Sequence, residues 1–194
     1  IELGDRLVTL VGTGGAGKTR LSRRIANHFA VQFSGGAWFV DLADVDSVDG
    51  IVRATAQGLG IQMPASLEVD PVLQLGTELS KRGRLLIVLD NFEQLVEFGA
   101  STVARWLEQG SDLQFLVTTR EALNLANEVR VPLPPLSQEE AVDLLWKRAQ
   151  MMGASWDEDE ATQGTLLQIV DALDRLPLAI ELAAVRARIL SPSQ

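Results

Sequence analysis

Leu7-Val8-Thr9-Leu10-Val11-Gly12-Thr13-Gly14-Gly15-Ala16-Gly17-Lys18-Thr19-Arg20 is the stretch whose reading decides the fold. A short apolar, β-branched run ends in Gly12-x-x-x-x-Gly17-Lys18-Thr19. It then opens onto helical spacing, with Leu21, Ile25 and Phe29 four residues apart. The order is strand, glycine loop, helix. Glycines let the backbone take positive φ and approach a ligand with no Cβ in the way, so successive N–H groups can face phosphate oxygens. The helix that follows starts with unpaired N–H groups and a partial positive charge, where an anion is favoured. Gly12 to Arg20 are therefore the candidate phosphate-binding residues. Lys18 is placed to bridge β- and γ-phosphates, and the Thr19 hydroxyl to ligate Mg²⁺.

Outward from this loop, strands and helices alternate. Gly36–Leu42 reads as a second strand, apolar on both faces as a buried parallel strand should be. Helical spacing follows in Val48, Ile51, Val52 and Leu59, broken by Gly58, Gly60 and Pro64, and a further helix runs from about Pro71 to Lys81. Leu85–Asp90 is the strongest strand. The spacing then predicts a helix from about Glu93 to Glu108, with Leu95, Phe98, Val103 and Leu107 inward. Gln114–Thr118 and Glu128–Val131 are a fourth and a fifth strand. The alternation implies an α/β fold with a parallel sheet, helices on both faces, right-handed crossovers and ligands at the carboxyl ends of the strands.

Pro132-Leu133-Pro134-Pro135 is a stiff link, and beyond it the chain reads as purely helical. Ser137-x-x-Glu140 is a capping box for a helix to about Met152. Acids at 157–160 suit the next helix start, and a last helix opens at Pro177 with Leu178, Leu182, Val185 and Ile189 as a heptad-like stripe. The expected organisation is a nucleotide-binding domain over 1–133 and a small helical subdomain over 134–194.

Three strand ends carry the remaining chemistry. Asp90 closes the most apolar strand, where a buried carboxylate needs a charged partner, and hydrated Mg²⁺ shared with Thr19 is the expected one; a helix N-cap is the alternative. Hydrolysis needs a group to orient or deprotonate water, and the next residue, Asn91, cannot act as a base. Glu93 is the nearest carboxylate, and a bland helix-start acid is its other reading. Arg120, after Thr118-Thr119, should emerge at the same sheet edge and could meet a γ-phosphate, against a plain surface role. The lone His28 reads as a surface residue, Asp41 as a turn or cap, and the four tryptophans as packing residues.

Composition narrows the function classes. The 194 residues are 46% hydrophobic, enough for one α/β domain and an appendage. A formal charge of −9 disfavours nucleic-acid binding by this chain alone. The absence of cysteine excludes disulfides, thiolate metal sites and a cysteine nucleophile. No apolar run approaches the ~20 residues that span a bilayer, so no membrane partner is expected and a cytoplasmic setting is. The start at Ile1 and the turn-like Ser191–Gln194 suggest a domain cut from a longer protein, with flanking domains as partners.

Gly12–Thr19, Leu89-Asp90-Asn91-Phe92-Glu93, Thr118-Thr119-Arg120 and Leu176-Pro177-Leu178-Ala179-Ile180-Glu181 together resemble the STAND class of P-loop ATPases, which includes the NB-ARC or AP-ATPase domains. The resemblance is nearest to the ATPase domains of large bacterial LuxR-type regulators and covers almost the whole chain. It implies a five-stranded sheet of the additional-strand type, with the Thr118 strand between those of Val11 and Asp90. It also implies ATP or ADP with Mg²⁺ as ligands, Arg120 as a γ-phosphate sensor, and Pro177 as an adenine contact from the helical subdomain. Exchange or slow hydrolysis would switch the protein between closed and open states, the open one often a homo-oligomer. Two positions depart from the pattern: Arg175 stands where the family usually has Gly, and Asn91 where it has a second acid. An energy-transducing AAA+ ring and a non-hydrolysing scaffold remain alternatives. A GTPase is disfavoured, since no Asn-Lys-x-Asp follows the fourth strand.

Overall fold

The structure, a computed structural model, describes residues 5–63, 69–154, 156 and 159–188. The chain divides into two compact units: one joins the residues up to Gly12 with Lys18–Pro132, the other joins Thr13–Gly17 with the chain from Leu133 onward.

The first unit holds β1 (Leu7–Val11), α1 (Lys18–Phe29), β2 (Ala37–Asp41), α2 (Val48–Gly58), α3 (Pro71–Ser80), β3 (Leu85–Asp90), α4 (Arg105–Gln109), β4 (Leu113–Thr119) and β5 (Glu128–Pro132). All strands run parallel in the order β2-β3-β4-β1-β5, with β4 between β1 and β3. The register aligns Val11 with Thr119 and Asp41 with Asp90, so the polar strand ends reach one edge together. Every residue of β3 and β4 is buried, because each face of the sheet has its own core. Ile87, Leu89, Phe115 and Val117 pack toward Trp106, while Val88 and Leu116 join Val8, Leu10, Ala26 and Phe33. Their continuous apolar runs are what two covered faces require.

β2 is an edge strand whose two apolar faces meet the two cores, Val40 and Trp38 on one side and Ala37 and Phe39 on the other, with less burial than β3 and β4. One expectation for this unit is corrected. The helix expected over 93–108 is instead two 3₁₀ turns (Phe92–Gln94, Val96–Phe98), a π-type turn (Ala100–Ala104) and the short α4. The Thr102 and Ser101 hydroxyls both donate to Phe98 O, at 2.7 and 3.1 Å, and Ala104 N–H reaches back five residues to Gly99 O. These local bonds compete with the regular ladder. The inward side chains still pack as expected: Leu95 and Val103 are buried, and Phe98 and Leu107 lie against the same core. Trp106 is fully buried, stacks on Phe115 and donates to Val72 O at 2.9 Å.

The second unit contains α5 (Gln138–Met151), α6 (Glu160–Ala172) and α7 (Pro177–Ala184). The capping box at Ser137 and Glu140 is present, and Asp159 caps α6 through Thr162 N–H at 2.7 Å. The core is Ala141, Leu145, Leu166, Val170, Ile180 and Ala184. The stripe expected on α7 is corrected: Leu178, Leu182 and Val185 are exposed, and Ile189 lies outside the described residues. α7 is only eight residues long, and its Ile180/Ala184 face is the one that packs. Among the described residues, no helix is long and apolar enough to cross a membrane.

Arg175 has φ +54° in the turn before α7, where its N–H donates to Val170 O and its carbonyl accepts from Leu136 N–H. A left-handed backbone is what glycine adopts without a Cβ penalty, which explains a glycine preference at this position. Arg175→Gly is therefore expected to stabilise the fold by about 1 kcal/mol, net of the entropy glycine gains when unfolded. Equal or lower denaturant midpoints for the variant would contradict that.

Candidate functional site: a phosphate loop beside a hydroxyl–carboxylate pair

Gly12 N–H donates to Thr119 O at 3.2 Å, anchoring the start of the loop on β4. Gly15 and Gly17 have φ +79° and +92°, and a Cβ on Gly17 would meet nothing within 4 Å. Glycine is thus required at 17 by backbone conformation, and the space beside it is open. Thr13 and Gly14 are exposed, whereas Ala16 is buried.

Lys18 opens α1 with 9% of its surface exposed, and its Nζ donates to Gly12 O at 2.8 Å. Burial lowers its pKa from the usual lysine value; Glu93 and Asp90 pull it up, and Arg120 pushes it down. The Thr19 hydroxyl donates to Asp90 Oδ2 at 2.8 Å. Asp90 is 1% exposed and caps no helix; its other oxygen accepts from Thr118 Oγ1 at 2.5 Å. A hydroxyl and a buried carboxylate in contact, at the helix start that also carries the Lys18 ammonium group, form a donor set that fits Mg²⁺ and phosphate. Among the described residues, no cluster of three or more His, Cys, Asp or Glu is gathered elsewhere for a metal.

Asn91 follows Asp90 in a left-handed conformation (φ +63°), which asparagine tolerates better than most residues. Its N–H donates to Thr118 Oγ1 at 3.1 Å, and its amide donates to Asp41 Oδ1 at 2.9 Å. Asp41 also accepts from Ala43 N–H at 3.1 Å, so it caps the turn as expected and ties β2 to the Asp90 turn as well. This geometry turns the Asn91 side chain toward Asp41. Asn91→Asp would set two carboxylates together, with an expected loss of about 1 kcal/mol at neutral pH. Adding Asp41→Asn should restore the melting temperature, and a double variant no more stable than Asn91→Asp would overturn the pairing.

Glu93 lies in the first 3₁₀ turn, its side chain 23% exposed. Its Oε1 is 3.4 Å from Arg120 Nε, while Oε2 is buried without a hydrogen-bond partner. Arg120 follows β4 with its side chain 66% exposed. Arg20 sits exposed in the first turn of α1. Pro177 opens α7, and within the second unit the next N–H, from Leu178, donates to Gly15 O at 3.2 Å. His28 is exposed, its ring edge-on to Phe29.

Lys18, Thr19, Asp90, Glu93 and Arg120 are thus brought to one sheet edge. Thr118 was expected at this edge as part of Thr118-Thr119-Arg120, but its role of orienting Asp90 and receiving the Asn91 N–H was not assigned from the sequence. The available signal was a second hydroxyl residue at the end of a strand paired with β3.

Comparison with known proteins agrees with this architecture. A protein of Mycobacterium tuberculosis, named as a candidate HTH-type transcriptional regulator, is 38% identical over 191 residues; these are 97% of this chain and 21% of that protein, so the chain spans about a fifth of its relative. Among solved structures, Drosophila ORC bound to DNA superposes with TM-score 0.65 at 18% identity, covering 93% of this chain and 55% of the other. A Pyrococcus horikoshii STAND protein with a tetratricopeptide repeat sensor gives TM-score 0.62 at 17% identity, covering 93% and 28%. Those two likenesses concern the fold alone. Residues 1–145, which include the loop, Asp90, Glu93 and Arg120, match the AAA domain family, and the chain belongs to it.

Proposed function

We propose that this chain is an ATP/ADP-binding switch module of the STAND kind, with slow Mg²⁺-dependent ATP hydrolysis, acting within a larger regulator. The observation that carries the reading is the contact of Thr19 with buried Asp90, at the helix start that Lys18 opens. In this reading Lys18 would take the β- and γ-phosphates, Thr19 and Asp90 would hold Mg²⁺, Arg120 would meet the γ-phosphate, and Glu93 would orient the attacking water. The regulator context is supported by the name of the mycobacterial relative, and the STAND assignment by the Pyrococcus fold. To act as a switch, ATP and ADP must differ in affinity for two arrangements of the protein, since equal binding shifts nothing.

Titration calorimetry with Mg-ATP and Mg-ADP tests this. Binding of both, with turnover below about 1 s⁻¹, is expected. Failure to bind either nucleotide would remove the reading. One observation favours a second reading, a module that never hydrolyses: Asn91 is tied to Asp41, which leaves Glu93 alone as base. Zero turnover with retained binding would select it. Turnover that rises with protein concentration would select an oligomeric ring, a form compatible with the ORC-like fold.

A further inference from the structure

Glu93 is paired with Arg120 at 3.4 Å. Its negative charge also favours the ammonium form of Lys18, which burial opposes. One carboxylate therefore acts on both cations that a triphosphate would engage. The other candidate anion, Asp90, is already satisfied by two hydroxyls, from Thr19 and Thr118. Glu93 is not: its Oε2 is buried with no hydrogen-bond partner, a costly state for a carboxylate oxygen unless nearby positive charge compensates it.

We propose that Glu93 is the internal counter-anion of the phosphate site, offsetting the charge of Lys18 and Arg120 so that a bound polyphosphate must compete with it. This rests on the nucleotide-binding reading and adds a property to it. The same side chain assigned to water activation also sets the affinity of the site, by opposing the anion it later helps to cleave. The opposition is electrostatic, so it acts on any polyphosphate, whether or not it can be hydrolysed. It is also partly sheltered from solvent and is screened less than a surface pair.

Calorimetric titration of magnesium pyrophosphate and Mg-ATP into the parent chain, Glu93→Gln, Glu93→Ala and Lys18→Ala separates the possibilities. Removing the carboxylate charge should tighten pyrophosphate roughly five- to tenfold in both Glu93 variants, as expected for one like charge a few ångströms from the ligand. The gain should shrink when salt is raised from about 0.1 to 1 M. Two variants of different size guard against a folding artefact, because a merely structural side chain would not make both bind tighter. Binding by the parent that is lost in Lys18→Ala, but equal or weaker in the Glu93 variants, would overturn this inference and leave the nucleotide site standing. Absence of binding in every protein, parent included, would overturn both.

Discussion

Lys18→Ala is expected to abolish stabilisation by Mg-ATP. A ligand at a hundred times its dissociation constant adds about 2.7 kcal/mol to the folded state. For a chain of this size that is a melting shift of roughly 5–10 °C. The parent should show the shift and the variant none, because no second ammonium group lies in the loop: Arg20 is exposed on α1 and Arg120 is engaged by Glu93. The absolute melting point of the variant is not the readout, since Lys18 is 9% exposed and its stem packs. Lys18→Met keeps that stem, so it should melt close to the parent and likewise lose the nucleotide response. Equal ATP-induced shifts in parent and variants would show that the lysine does not hold the phosphates.

The strand order was implied by the family resemblance and is the one observed; the gathering of polar strand ends was legible from the residues themselves, because a fully covered parallel sheet writes long apolar runs and the polar residues after each run mark the functional edge. Asp90 after Leu85–Leu89 and Thr118-Thr119-Arg120 after Phe115–Val117 are such endings. The capping box at Ser137 was legible for a similar reason, since its two reciprocal bonds lie within four residues. Long-range pairings were not. The Asn91–Asp41 bond spans 50 residues and exists only because β2 and β3 align Asp41 with Asp90. The Thr118–Asp90 bond was hidden because a threonine in a strand is explained by β-propensity alone, and its hydroxyl acquires this partner only once β4 lies beside β3.

Helical spacing over 93–108 placed the right side chains inward yet named the wrong backbone. Burial of Leu95 and Val103 depends on which side faces the sheet, and 3₁₀ and π turns can supply that as well as an α-helix can. What decided the backbone was the left-handed Asn91 and the hydroxyls of Ser101 and Thr102, neither of which alters the apolar pattern. On α7 the reverse happened. Two interleaved apolar stripes were available, and the sequence does not say which one meets α5; Ile180 and Ala184 do, leaving Leu178, Leu182 and Val185 outward.

Glu93→Gln is expected to lower ATP hydrolysis by about a hundredfold, the low end of what a positioned acid–base group contributes. This corresponds to about 2.7 kcal/mol of barrier. The expectation follows from elimination among the groups at this edge. Asp90 is committed to the Thr19 and Thr118 hydroxyls, Asn91 has no basic atom and faces Asp41, and Asp41 is occupied by the Asn91 amide. Among the described residues at this edge, Glu93 has a buried carboxylate oxygen without a hydrogen-bond partner. Glutamine keeps the size and the hydrogen-bonding reach of the side chain but cannot take a proton from water, so nucleotide binding should not weaken while turnover falls. Phosphate release under single-turnover conditions, with Lys18→Ala preparations defining the contaminant background, reads the chemical step directly. Turnover equal to the parent's would remove Glu93 as the base and point to hydrolysis by positioned water alone. Loss of binding together with turnover would show instead that the carboxylate is needed to keep the loop in shape.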